Sequence, residues 1–259
     1  MTKKTIYIYV LTLLALLAGC ASYVYFGKEG KLVPLASSPA STSAPSRTYS
    51  NDYISVNVVY PVIPGKSEDI VETNAVLKKA IDAQIDEFDV STKDYPMFHI
   101  DTIKSMVQGG YAVEASTSDW VSIVGGLSFY SSGAAHPFFV VDTYVYDLQQ
   151  KKILKLSDVF KAGSDYLSVL SKLSREDLYL QVEEGDTDNP PDTNFIFSGT
   201  EPNEENFRSF AFLCEGLALY FGEYQVAPYA AGVQHVVIPY SKLKPYLHDR
   251  ISGYTCINS

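Results

Sequence analysis

The residue types that carry most proton transfer and metal ligation are few in this chain and poorly spaced for either task. Its four histidines are His99, His136, His235 and His248. No two stand at i, i+4, so no helix can present a pair of imidazoles to one zinc ion. The same spacing removes the His-x-x-x-His metal pair of polysaccharide deacetylases. A Gly-x-Ser-x-Gly nucleophile elbow is absent, as are a phosphate-binding loop and a dinucleotide fingerprint. Asp186, Asp188, Asn189 and Asp192 hint at calcium, but Pro190 and Pro191 stand where an EF-hand loop needs glycine and no glutamate closes the loop. Carboxylates distant in sequence could still meet in space for glycoside chemistry, though nothing selects a pair. The expectation is therefore no catalytic residue, no metal and no cofactor.

Two segments look better suited to contact than to catalysis. One is the small-residue turn from Tyr130 to Pro137, which ends in His136-Pro137. The other runs from Phe221 to Gly232 and carries Tyr224 and Tyr229 around Pro228. Each either locks a turn or touches a ligand. Tyrosine and histidine join an apolar ring face to a hydrogen-bonding tip, and functional contacts gather on loops held by rigid strands. Tyr130, His136, Tyr224 and Tyr229 are accordingly the candidate ligand-binding residues. The expected surface lies where these two segments meet the acidic loop 185–206.

The elements that must position them follow from periodicity. Ile54, Val56, Val58 and Tyr60 alternate with polar residues as in a half-buried strand. Ile70, Leu77, Ile81, Ile85 and Phe88 recur at helical spacing over 67–88. Residues 109–148 read as a β meander whose last strand would turn a wet face of Asp142, Tyr144 and Tyr146 to solvent. A helix is expected from Ser164, a second from Ser174 to Glu184, and a long acidic loop over 183–205. Hairpin strands flank Glu215-Gly216, and a last strand covers 233–239. The fold class is α+β, antiparallel sheets with packed helices in two small contacting subdomains.

Composition bounds the partners. The 259 residues are 46% hydrophobic and 19% charged, with thirty acids, twenty bases and a net charge of -10. Nucleic acid is an unsuitable partner for such a surface, and a cationic one suits it better. Twenty tyrosines are an unusual number; they fit strands with half-exposed rings, or a face that stacks on sugar or protein.

The N-terminus sets the address. Lys3 and Lys4 precede an apolar run from Ile6 to Ala18, as in a secretory leader. Leu17-Ala18-Gly19-Cys20 resembles a bacterial lipobox, which makes residues 1–19 a lipoprotein signal peptide and Cys20 the lipidation site. The alternative is an uncleaved anchor reaching from Thr5 to Phe26. Either places the remaining chain outside the cytoplasm, in the cell envelope. Residues 20–50 are rich in Ser, Pro and Ala and read as a tether. Cys214 and Cys256 then remain as a possible disulfide closing about 43 residues, worth roughly 4 kcal/mol on the chain-entropy model. A free Cys214 thiol in its apolar run is the other option.

The two candidate segments, together with Ile153–Phe160 and Val236–Leu243, resemble the RsiV-like C-terminal domain family of extracytoplasmic domains. The shared pattern is Gly-Ala-His-Pro, a strand, Leu-x-Asp-Val-Phe, a helix, Pro-Tyr-x-x-Gly and Ile-Pro-Tyr, with the resemblance covering roughly residues 125–247. The strand, proline and helix of 51–88 are similar to the PdaC/RsiV-type N-terminal domain. The resemblance implies domains at 51–124 and 125–259. It also implies a receptor-like role, since RsiV-type anti-sigma factors bind lysozyme outside the cell and PdaC pairs the domain with a separate catalytic one. Neither a sigma-binding segment nor a deacetylase segment is recognised here, so only the binding module is expected to carry over. The expected function is a membrane-anchored, non-catalytic binding module for cell-wall glycan or a lysozyme-like protein. An enzyme using paired carboxylates, or a structural envelope lipoprotein, would be the alternatives.

Overall fold

Alternation from Tyr53 to Tyr60 builds a strand whose Ile54, Val56 and Val58 point wholly into a core. In the computed structural model, which describes residues 23–26, 31–34, 44–94, 103–183 and 193–252, this strand is β4 (Ile54–Val59). The leader, Cys20 and Cys256 lie outside the described residues. Within the stretch expected as tether, β1 (Tyr23–Phe26) and β2 (Lys31–Pro34) pair antiparallel. β3 (Ser46–Ser50) already pairs with β4, so the main sheet begins before residue 51.

After β4 the chain enters α1 (Glu68–Asp94), with Glu68 and Asp69 in the first turn and Lys93 in the last, as the helix dipole favours. Ile70, Leu77, Ile81 and Ile85 are buried against the sheet, while Val71, Val76 and Val90 face solvent. Each fully buried isoleucine contributes roughly 2 to 3 kcal/mol of transfer free energy. The helix runs past the expected 88 because no Gly or Pro interrupts it before Pro96. At about 1.5 Å per residue it carries the chain back across the sheet. The next strand, β5 (Ser105–Ser116), therefore lies parallel to β4. The other pairings in this sheet are antiparallel, through β6 (Trp120–Tyr130), β7 (Phe138–Asp147) and the short β8 (Lys152–Ile153).

A second, three-stranded antiparallel sheet follows, in the order β11 (Gln234–Pro239), β10 (Gly216–Phe221), β9 (Phe210–Phe212). It packs with α2 (Leu156–Val159), α3 (Tyr166–Glu183), α4 (Thr193–Gly199), α5 (Tyr240–Leu243) and α6 (Asp249–Ser252). α3 is one helix, not two, because Ser174 sits buried in its middle with no breaker beside it. α4 occupies part of the stretch expected as an acidic loop; 184–192 lie outside the described residues.

The two halves share β6 and β7. Val121, Ile123, Leu127 and Phe129 of β6 join the α1 core. Trp120 and Val124 of the same strand, with Val141 and Val145 of β7, pack toward the second sheet. Polar side chains tie the halves together: the backbone N–H of Phe212 donates to Ser122 Oγ and that of Phe210 to Thr143 Oγ1. The boundary expected at 124/125 falls inside β6. The wet face expected on β7 is partly covered, with Tyr146 fully buried and Asp142 and Tyr144 half-buried near Tyr111. The α1 core packs against one face of the strand and the second sheet against the other, while Phe138 stays exposed.

Many tyrosines serve this packing as hydrogen-bond donors to carboxylates. Tyr49 and Tyr53 both donate to Asp89, Tyr60 to Asp82, Tyr111 to Asp142, Tyr146 to Asp69 and Tyr166 to Glu204. The surpluses of tyrosine and of acid thus satisfy one another. Among the described residues no helix is long and apolar enough to cross a membrane.

Candidate binding surface

Two strand ends bring the segments together. β6 and β7 are joined by the turn that carries His136, and β10 runs directly into the turn Gly222–Gln225. The His136 ring lies over Tyr229 at 3.7 Å between centroids and 24° between planes. Tyr224 completes the group, its ring 6.5 Å from His136 and 5.8 Å from Tyr229. His136 Nδ1–H donates to the Pro137 carbonyl at 2.8 Å, which leaves Nε2 as the acceptor facing the Tyr224 hydroxyl at 3.5 Å. Burial, then the nearby Glu223 carboxylate and Tyr224, push the Tyr229 phenol above its ordinary range.

Gln225 and Glu223 hold the Tyr224 turn. The Gln225 side chain accepts the Gly222 N–H through Oε1 and donates through Nε2 to the carbonyls of Gly199 and Asn206. Glu223 accepts the Phe139 N–H at 3.0 Å, which pins the turn to the open edge of β7. Between them Tyr224 has φ +65° and is 53% exposed. A bulky residue in the left-handed region is uncommon and costs of order 1 kcal/mol or more.

Of the four candidate residues, His136, Tyr224 and Tyr229 form one cluster. Tyr130 does not join it: half-buried at the end of β6 opposite Met106, it has no ring contact with the other three. The described end of the 185–206 loop reaches the site through the Gln225 bonds to Gly199 and Asn206. Gln225 and Glu223 escaped sequence reading because their roles are backbone contacts to segments 19 to 84 residues away. Cys214 is exposed in the β9–β10 loop and is disulfide-bonded, so the buried free thiol is not what the fold contains. Both other cysteines lie outside the described residues. Among the described residues no three His, Cys, Asp or Glu side chains are grouped to hold a metal ion. The arrangement offers ring faces, an imidazole Nε2 and a carboxylate.

Residues 157–241 match the family model described as a protein of unknown function, DUF3298. The chain is 31% identical over 193 residues to the peptidoglycan-N-acetylmuramic acid deacetylase PdaC of Bacillus subtilis strain 168. That alignment covers 74% of this chain and 39% of PdaC, so the chain spans about two fifths of its curated relative. The fold is similar to that of a DUF3298 family protein from Pseudomonas aeruginosa PAO1, with a TM-score of 0.58 and 15% identity over 81% of this chain and 97% of that one. A DUF3298 family member from Bacteroides fragilis NCTC 9343 gives the same TM-score at 17% identity, over 81% and 95% of the two chains. The domain match and the similarity to PdaC together support a PdaC/DUF3298-type family for this chain.

Proposed function

We propose that the chain is an extracytoplasmic, RsiV-like binding module for cell-wall glycan, non-catalytic and held at the membrane through lipid on Cys20. The observation that carries this is the His136–Tyr224–Tyr229 cluster, whose Tyr224 ring is exposed on a turn pinned at both ends. Aromatic faces bordered by hydrogen-bonding tips suit sugar rings, which have apolar faces and polar rims. The name of PdaC, a deacetylase of a peptidoglycan sugar, points to the same polymer.

Co-sedimentation of the purified protein with washed wall glycan tests the reading. Tyr224→Ala and Tyr229→Ala should each reduce capture several-fold with nearly unchanged melting temperature. Wild-type protein that stays in the supernatant, or variants captured as well as wild type, would overturn it. A lysozyme-like protein is the second reading, favoured by the net charge of -10. Steering of a cationic partner would make that binding fall steeply with salt, whereas ring stacking is nearly salt-independent.

A further inference from the structure

The tyrosine–carboxylate pairs differ in one respect. Asp69 also meets Lys151, and Asp82 meets Lys78 and Arg47. Asp89, Glu204 and Asp142, among the described residues, have no lysine or arginine within ion-pair distance; Glu204 is exposed and half-buried Asp89 accepts from two phenols, Tyr49 and Tyr53, whereas half-buried Asp142 accepts from one, Tyr111 to Oδ2 at 2.9 Å. The phenol of Tyr146 and then Lys151 hold Asp69 below its usual range. Burial pushes Asp142 above that range, and neither the Tyr111 bond nor the more distant charge of Arg208 offsets it. A half-buried carboxylate without a cation is a costly arrangement.

The backbone builds the surroundings. Tyr111, Gly125 and Asp142 are in register on β5, β6 and β7. A Cβ at 125 would stand 2.1 Å from the Gly110 oxygen and 2.8 Å from Tyr111 Cδ1. Glycine there lets the Tyr111 ring lie across β6 and reach Asp142. Tyr144, two residues along β7, places its ring 6.0 Å from that of Tyr111. Among the described residues Asp142 Oδ1 accepts no hydrogen bond, and the Tyr144 hydroxyl meets the same Tyr111 phenol that donates to Asp142 Oδ2, which leaves the Tyr144 proton to donate. Val113, next on the same face of β5, is 44% exposed, so α1 leaves this end of the sheet uncovered.

We propose that Asp142, Tyr144 and Tyr111 form a second subsite for a sugar unit carrying a free amine, with its ammonium on Asp142 and a neighbouring hydroxyl on Tyr144. The proposal rests on the glycan-binding reading and adds a preference to it. A lysine side chain would supply the ammonium but not the adjacent hydroxyl, so the paired carboxylate and phenol favour the amino sugar. The rings of Tyr111 and Tyr144 add apolar contact and attraction for the cation.

The test is calorimetric titration of the purified protein, at physiological salt, with the tetrasaccharides of chitosan and of chitin, which differ in free against acetylated amines. Chitosan tetramer should bind at least tenfold more tightly than chitin tetramer. Asp142→Asn, whose amide oxygen can still accept from Tyr111, should abolish that difference, while Glu72→Gln, an exposed charge control, should keep it. Tyr144→Phe leaves the Tyr111–Asp142 bond intact and should reduce the difference severalfold, which keeps the proposal testable if Asp142→Asn fails to fold. An amine preference unchanged in both variants would overturn the subsite while leaving glycan binding standing. Equal binding of both sugars by wild type, or a lysine-rich peptide competing better than chitosan tetramer, would also overturn it. Absence of any sugar binding would overturn the reading beneath it.

Discussion

Arg250 holds the buried carboxylate of Asp147 with both terminal guanidinium nitrogens, Nη1 on Oδ2 at 2.9 Å and Nη2 on Oδ1 at 3.2 Å. Asp147 Oδ1 also accepts the N–H groups of Gln149 and Gln150, which shapes the turn between β7 and β8. The guanidinium lies over Trp120, itself buried where the two halves meet. One side chain on α6 thus ties the C-terminal end of the described fold to the shared strands. Arg250→Ala leaves the carboxylate buried and short of a counter-charge. We expect a loss of about 2 kcal/mol, below the usual figure for a fully buried pair because Arg250 is partly exposed. Urea unfolding checks this, and adding Asp147→Asn should recover part of the loss.

Tyr224 should behave oppositely in stability and in binding. Its φ of +65° suits asparagine or glycine better than a bulky aromatic, and half its surface is in solvent. Tyr224→Asn is therefore expected to raise stability by about 0.5 to 1 kcal/mol while weakening glycan capture. A fall in melting temperature would mean that the ring locks the turn and has no need of a ligand to explain it.

Gln225→Ala removes three hydrogen bonds at once, to Gly222, Gly199 and Asn206. Leaving those half-buried backbone groups unpaired should cost about 1 to 3 kcal/mol. Capture should fall with it, because the Glu223–Phe139 bond is then left to hold the turn that aligns Tyr224 with His136 and Tyr229. Tyr224→Asn and Gln225→Ala should then be non-additive in binding.

The elements carrying this site were legible where one period dominates. The 54–60 alternation and the stripe of Ile70, Leu77, Ile81 and Ile85 each report a single buried face. Legibility failed where a strand has two. Tyr144 and Tyr146 look like the wet side of β7 because alternation cannot tell solvent from a second packed layer, and here Tyr146 is buried in the α1 core with Tyr144 half-buried beside it. The turns with His136, Tyr224 and Tyr229 were visible as small-residue and proline punctuation. Their convergence was not, since the Phe139–Glu223 bond joins residues 84 apart. Asp142 was passed over for a related reason: its significance lies in the absence of a cation across two neighbouring strands, which no local pattern records.

The phenol–carboxylate pairs set an alkaline limit. Burial, then the bond to Asp89, pushes Tyr49 up to about 12, and burial with the Glu204 bond does the same for Tyr166. A folded pKa above the unfolded one means that this contribution is fully present below about pH 10. It is lost as pH rises through about 12. Stability should fall over that window, in step with the 295 nm absorbance of tyrosinate. Tyr49→Phe should lower stability at neutral pH and flatten the alkaline fall. An equally steep fall in the variant would assign it to other groups.

The disulfide at Cys214 decides a question at the far end of the chain. Cys214 is exposed on the β9–β10 loop and disulfide-bonded, and Cys20 and Cys256 are the two other cysteines in the sequence. Lipid attachment converts the Cys20 sulfur to a thioether, which cannot enter a disulfide. A lipidated Cys20 therefore requires that Cys214 pair with Cys256. Non-reducing peptide mapping of protein recovered from the envelope should show the Cys214–Cys256 bridge and an N-terminal peptide of lipidated mass. Cys256→Ser should lower stability by at most about 4 kcal/mol, the chain-entropy figure, and by less if the reduced chain keeps structure. A Cys20–Cys214 bridge would refute both the lipid anchor and the Cys256 pairing in one measurement, because the same sulfur cannot serve twice.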